Sequence, residues 1–404
     1  MESRLFRLAA GFLFTFSIAL TTSEAVRFQT WTADLHWNHW TGYILWLAGF
    51  TFILRQSRKF FPDHDPYIIP IASFLSGWGL LTIWRLDTYF GTRQTIWLAI
   101  CLAVFWFGLR EKSLLPLLKR YRYIWLFSGL ILTALTFVFG TYPGGEGPRL
   151  WLGCCGLYFQ PSELLKLLLI IYMAAYLSSQ TTIWPGLLQF LSPTLALVGA
   201  AIILMLGQRD LGTASIFILL YFLIIYLVIG KRRIMLLSLF LLLASVLLGY
   251  SQLGIIRFRI DSWLNPWIDP SGRSYQIIQS IMAVASGGIF GRGPGLGNPQ
   301  LVPVAQSDFI FAAIAEEIGL AGTIGIICLL ALLISRGFHI AINATNHYQR
   351  YLSSGITVYF TIQSFLIIGG RNSGNNQLGF FYWNRGQKFH VRHITKKSWD
   401  TTMF

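Results

Sequence analysis

At 404 residues, 54% hydrophobic and only 12% charged, with a mean hydropathy of +0.58, the chain is too apolar for a soluble globular domain and has the composition of a polytopic membrane protein. Its formal net charge of +15 does not mark a nucleic-acid binder, because the Lys and Arg residues are parcelled out between apolar segments and form no single aromatic-interleaved patch. The apolar runs are continuous, which excludes a membrane barrel of alternating strands, so the fold class is all-α, a polytopic transmembrane helical protein.

Eleven segments approach the roughly 20 residues a helix needs to cross the hydrocarbon core. They lie at about 5–22, 41–54, 67–84, 94–109, 123–140, 161–178, 186–206, 211–229, 234–250, 309–335 and 352–370. The second is the shortest. The first, behind Arg4 and Arg7, has the look of a cleaved signal peptide as well, but an uncleaved helix suits a many-span chain better. Basic residues gather before the first span, after the second (Arg55, Arg58, Lys59), after the fourth (Arg110, Lys112, Lys119, Arg120, Arg122), after the eighth (Lys231, Arg232, Arg233) and after the tenth (Arg336, Arg350). All these breaks fall on one side, so the N-terminus is cytoplasmic and the stretches 23–40, 140–160, 207–210 and 251–308 face outward.

The four cysteines give no disulfide framework: Cys101 and Cys328 lie in spans, and adjacent Cys154 and Cys155 bridge each other only with strain. None of the seven histidines stands in a span or at metal-ligand spacing from a cysteine, so no metal site is expected.

Four strings carry the chemistry. In GPRLWLGCCGLYFQPSELLKLLL, Pro161 opens a helix, and Glu163 and Lys166 stand at i and i+3 on one face. Lys166 is the one basic residue well inside a span, and it needs a carboxylate partner. A structural ion pair and a substrate role are both open for it. In GQRDLGTAS, Asp210 sits at an outer helix N-terminus, either as a cap or as a carboxylate facing substrate. The long outward stretch holds a turn-rich segment around Trp263, Pro266, Trp267 and Pro270, then a short helix expected over 274–285 and capped by Ser274. Its GGIFGRGPGLGNP with Arg292 reads as a phosphate-approaching loop or, more simply, a re-entrant turn. Finally SDFIFAAIAEEIGLAG places Asp308 at the outer rim of the tenth span and Glu316 and Glu317 about two turns deeper. Carboxylates at that depth cost roughly 2.5 to 3.5 kcal/mol, so they are functional candidates. One of the two glutamates is expected to meet Lys166 or an arginine.

Taken in order, RLWLG, FQPSELLKL, QRDLGTA, YQIIQS, SGGIFGRGPGLG, SDFIFAAIAEEIGLAG and Arg336–Gly337 resemble the SEDS family (shape, elongation, division and sporulation) of RodA and FtsW type, over about 65–370. The resemblance implies a bacterial cytoplasmic-membrane peptidoglycan glycosyltransferase that polymerises lipid II on the outer face and works with a class B penicillin-binding transpeptidase. It marks Asp308 as catalytic residue and general base, Trp151 as important, and Glu163, Lys166 and Asp210 as supporting positions. Outward arginines, Arg149 and Arg292 among them, would stabilise the leaving diphosphate, and a divalent cation is compatible with that task.

The expected organisation is an N-terminal transmembrane extension over 1–64, a core over 65–370 and a basic tail over 371–404. The chain departs from the family twice. Arg209 stands where members usually have Pro, and after Gly370 the family's PLTG and SYGGSS region and last span are replaced by a spanless basic tail, as a frameshifted or truncated gene end would give. Two other functions suit the same residues: a flippase for the lipid precursor, or a scaffold without activity of its own.

Overall fold

The computed structural model describes residues 1–372 apart from 31, 33, 34, 112, 143–148, 155–156, 180–186, 231, 253, 271, 273, 304 and 306–308. Among the described residues fifteen α-helices follow one another: α1 (Glu2–Phe28), α2 (His39–Phe60), α3 (Ile68–Leu86), α4 (Thr88–Arg110), α5 (Leu114–Arg120), α6 (Arg122–Ala134), α7 (Thr136–Phe139), α8 (Pro161–Ser179), α9 (Leu187–Gly207), α10 (Leu211–Ile229), α11 (Arg232–Gln252), α12 (Gly254–Leu264), α13 (Tyr275–Gly287), α14 (Ile310–Asn343) and α15 (His347–Asn372). Between α7 and α8 a hairpin of β1 (Leu152–Cys154) and β2 (Leu157–Phe159) pairs antiparallel, Leu152 opposite Phe159.

Each predicted span coincides with a helix, α6 and α7 together forming the fifth. Among the described residues eight helices are long and apolar enough to cross a membrane, and α9 contributes a shorter apolar stretch, Leu191–Gly207. The short second span is a helix of 22 residues, α2, but falls outside those eight, its last two turns carrying Arg55, Arg58 and Lys59.

The apolar surface is buried in two main clusters. One joins α1, α2 and α3 around Leu13, Trp46, Ile53 and Leu81, with Ile326 of α14. The other joins α8, α9, α10 and α15 around Leu169, Met173, Ala201, Phe217 and Leu220. α14 touches both, through Ile326 on one side and through α15 on the other. Its inner end is tied to the start of α3 by Arg336, whose Nε donates to Asp65 at 2.9 Å.

The tenth span differs from its prediction. A single helix was expected over 309–335, yet α14 is interrupted at Gly319 (φ 67°) and runs on to Asn343. That conformation costs a residue with a Cβ dearly, and here the added Cβ would meet the Gly291 amide nitrogen. The outward stretch also contains α12 where only turns were expected. Ser274 precedes α13 as predicted, but its side chain makes no capping hydrogen bond. The tail 373–404 lies outside the described residues.

Candidate functional site

Pro161 at the first position of α8 spends none of the helix's hydrogen bonds, and one turn later α8 carries Glu163 and Lys166. Lys166 is 1% exposed and donates from Nζ to Glu163 Oε1 at 2.7 Å, while Glu163 is half exposed. A buried ammonium survives only with such a partner. Two residues of α15 complete the cluster: Tyr359 donates to Glu163 Oε2 at 3.1 Å and lends its ring to Lys166 at 5.5 Å, and Gln363 donates to the Tyr359 hydroxyl at 3.2 Å.

Asp210 caps α10, its Oδ1 accepting from the Thr213 amide at 3.0 Å. Its other oxygen accepts from Gln160 Nε2 at 3.4 Å, just ahead of α8. Capping therefore uses one oxygen and turns the second toward the residues leading into Glu163. Trp151 pairs its backbone with Thr141 at 2.8 and 3.2 Å, which closes the neck of the β1–β2 hairpin, and Arg149 beside it is exposed.

A second cluster surrounds the break in α14. Glu316 and Glu317 are 3% and 6% exposed. Both meet arginines and neither meets Lys166: Arg292 approaches Glu316 at 3.4 Å and Arg85 approaches Glu317 at 3.4 Å. The amide of Asn298 donates to Glu316 Oε1 at 3.0 Å. The glycine-rich stretch is not an open phosphate cradle here. Its Arg292 and Gly293 amides donate to the Glu316 and Glu317 carbonyls at 3.0 and 2.9 Å, and the Leu320 and Ala321 amides return to Gly288 and Ile289 at 2.9 and 3.0 Å. Gly291, Gly293 and Gly295 all have positive φ, so the turn follows the break in α14 closely.

Asp308 lies outside the described residues, and α14 opens just after it, at Ile310. Sequence reasoning missed Arg85, Arg27, Tyr359 and Gln363. A polar residue in an apolar span is a usable signal for Gln363, which stands one helical turn from Tyr359. Arg85 and Arg27 gave none, since basic residues at helix ends are ordinary. Among the described residues no group of three or more His, Cys, Asp or Glu is disposed to hold a metal ion.

The sequence pattern of the family described as cell cycle protein, that of FtsW, RodA and SpoVE, matches residues 72–374. The peptidoglycan glycosyltransferase RodA of Mycobacterium tuberculosis is 32% identical over 335 residues, covering 78% of this chain and 71% of the relative. The stage V sporulation protein E of Bacillus subtilis is 36% identical over 227 residues, 55% of this chain and 62% of the relative. The probable peptidoglycan glycosyltransferase FtsW of Tolumonas auensis is 31% identical over 341 residues, 77% and 85%. A chain solved under the heading "Structural coordination of polymerization and crosslinking by a peptidoglycan synthase complex" shares the fold, with a TM-score of 0.56 at 24% identity over 83% of this chain and 87% of that one. The chain is a multi-pass membrane protein, and it belongs to the FtsW, RodA and SpoVE family of cell cycle proteins.

Proposed function

We propose that the chain is a peptidoglycan glycosyltransferase that polymerises lipid II at the outer face of the cytoplasmic membrane. The observation that carries this reading is the linked cluster of Lys166, Glu163, Tyr359 and Gln363 with Gln160 and Asp210, on helix ends that the charge asymmetry assigns to the outside. A buried cation held by a half-exposed carboxylate gives that end of α8 a charged, water-facing wall.

In the reaction a sugar hydroxyl attacks an anomeric carbon carrying a lipid diphosphate. One group must take the hydroxyl proton and another must stabilise the departing diphosphate. Asp308, two residues ahead of α14 in the sequence, is the base in this reading. Arg149, exposed beside the hairpin, is available to the diphosphate. Arg292 is half committed to Glu316, so its role is to hold the turn more than to bind substrate. Glu163, Lys166 and Asp210 are the supporting positions of that cluster, and Glu316 and Glu317 fix the loop. The working partner is a class B penicillin-binding transpeptidase, which would crosslink the strands as they form.

The test is polymerisation by the purified full chain, with Asp308→Asn beside it. The variant should keep the wild-type elution profile and melting temperature while strand synthesis falls by roughly the 10²- to 10⁴-fold that a general base contributes. Product at the wild-type level would remove Asp308 from the role of base.

A further inference from the structure

α1 and α2 precede the part of the chain that matches the family pattern, yet their outer ends form a cavity with the glycine-rich turn. The cavity measures about 660 Å³ and is walled by Glu24, Arg27, His36, Arg85 and Asp87 among others. A second hollow, about 600 Å³, shares Asn38, Trp84 and Thr88 with it and continues between α2 and α4 past Thr41, Thr92, Thr95 and Ile96. The two lie side by side, a polar hollow next to a longer flank, with Asn38, Trp84 and Thr88 lining both.

The acids of the polar end are already engaged. Glu24 pairs with His36 at 2.8 Å, and Asp87 caps α4 by accepting from the Tyr89 and Phe90 amides at 2.8 and 3.1 Å. Arg85 faces Glu317. Arg27 differs: its Nη2 donates to Leu296 O, Gly297 O and Asn298 Oδ1 at 3.1, 2.7 and 3.0 Å, all neutral acceptors. Among the described residues no carboxylate lies within ion-pair distance of it, and the Glu317 carboxylate, which already faces Arg85, attracts it only at longer range. The flank looks polar by composition but is not. Thr41, Thr92 and Thr95 turn their hydroxyls back onto Asn38, Thr88 and Gly91 carbonyls at 2.7, 2.9 and 2.8 Å, leaving methyl groups to line the groove with Ile96.

We propose that this space binds a phospholipid of the outer leaflet, the anionic phosphate on Arg27 and one acyl chain in the methyl-lined groove between α2 and α4. The ligand has the right shape and sign: at the head a cation with no carboxylate in ion-pair contact among the described residues, beside it an apolar groove, both on helix ends that the charge asymmetry assigns to the outside. Because Arg27 also holds the carbonyls of 296 and 297, a bound lipid is coupled to the turn that carries Arg292.

The test uses the full chain in micelles containing phosphatidylglycerol with a photoactivatable diazirine in mid-chain, and maps the label on peptides. Label should fall on residues 41 and 88–96 and be removed by excess unlabelled phosphatidylglycerol. Arg27→Ala should lower it about tenfold, the equivalent of one charged hydrogen bond. Thr92→Trp, which fills the groove at an exposed position without touching the turn, should lower it to a similar degree. Three results would overturn the proposal: diacylglycerol without a phosphate labelling as well as phosphatidylglycerol, labelling unchanged in a well-folded Thr92→Trp, or competition by a polyprenyl diphosphate but not by phosphatidylglycerol.

Discussion

Lys166 shows how far a single residue can be read. Its position inside an apolar span demanded a carboxylate, and Glu163 three residues earlier supplies it at 2.7 Å. Removing that partner by Glu163→Gln strands a buried ammonium, which costs about 3 kcal/mol. The melting temperature of Glu163→Gln should therefore drop, and Glu163→Gln with Lys166→Met should recover most of it. If the pair also serves chemistry, the double variant stays inactive when stable; recovered synthesis would reduce the pair to a structural lock. Arg209 carries a different lesson, since the sequence resemblance implies proline there and this chain's backbone forbids it. Its φ of 60° lies far from proline's, and its amide donates to Leu206 O at 3.0 Å. Arg209→Pro should destabilise by about 3 kcal/mol, whereas Arg209→Gly should stabilise by about 1 kcal/mol, both read by thermal unfolding. Tyr359, by contrast, was invisible beforehand, because a tyrosine in an outer-leaflet helix has an ordinary reason to be there.

At the scale of elements, helix existence was legible and helix interruption was not. Apolar length alone located all eleven segments, because the bilayer permits little besides helices. The break in α14 escaped because one glycine in an apolar run is common and nothing local requires it to leave the helical region. What requires it is distant in sequence: the turn 288–293 needs the Glu316 and Glu317 carbonyls and the Leu320 and Ala321 amides as partners. Gly319→Ala would drive a Cβ into the Gly291 nitrogen at a φ that alanine resists. We expect a loss of at least about 3 kcal/mol and release of the turn, seen as new protease cleavage between 288 and 298. Protection equal to wild type would show that the turn does not depend on the break.

For the whole molecule, the two helical clusters meet through α14, and ionic ties at the ends that the charge asymmetry assigns to the cytoplasm fasten α1 and α14 to their neighbours. His64 Nε2 donates to Glu2 Oε1 at 2.9 Å, and Arg58 Nε donates to the other oxygen at 2.7 Å. Burial pulls the His64 pKa down, but the Glu2 carboxylate and the Phe61 carbonyl outweigh it and hold it above 6.5. Its stabilisation is full below 6.5 and is lost as pH rises through the raised value. Burial pushes Asp65 up, but Arg336 and the Tyr67 and Ile68 amides outweigh it and hold it below 3.8. That tie is present above 3.8 and fails only as pH falls through the lowered value. Wild-type thermal stability should therefore decline as pH rises above 6.5 and through the raised His64 pKa, and His64→Gln should flatten that slope. An unchanged slope in the variant would remove His64 from the account.

The central claim is that the outer ends of these helices join sugars and do not merely move their lipid carrier. The most direct measurement places the purified full chain in liposomes with labelled lipid II and follows polymer length and transbilayer movement in one sample. Glycan strands formed at the outer face, and lost in Asp308→Asn, are the predicted result. Lipid II crossing the bilayer with no strands made would contradict it.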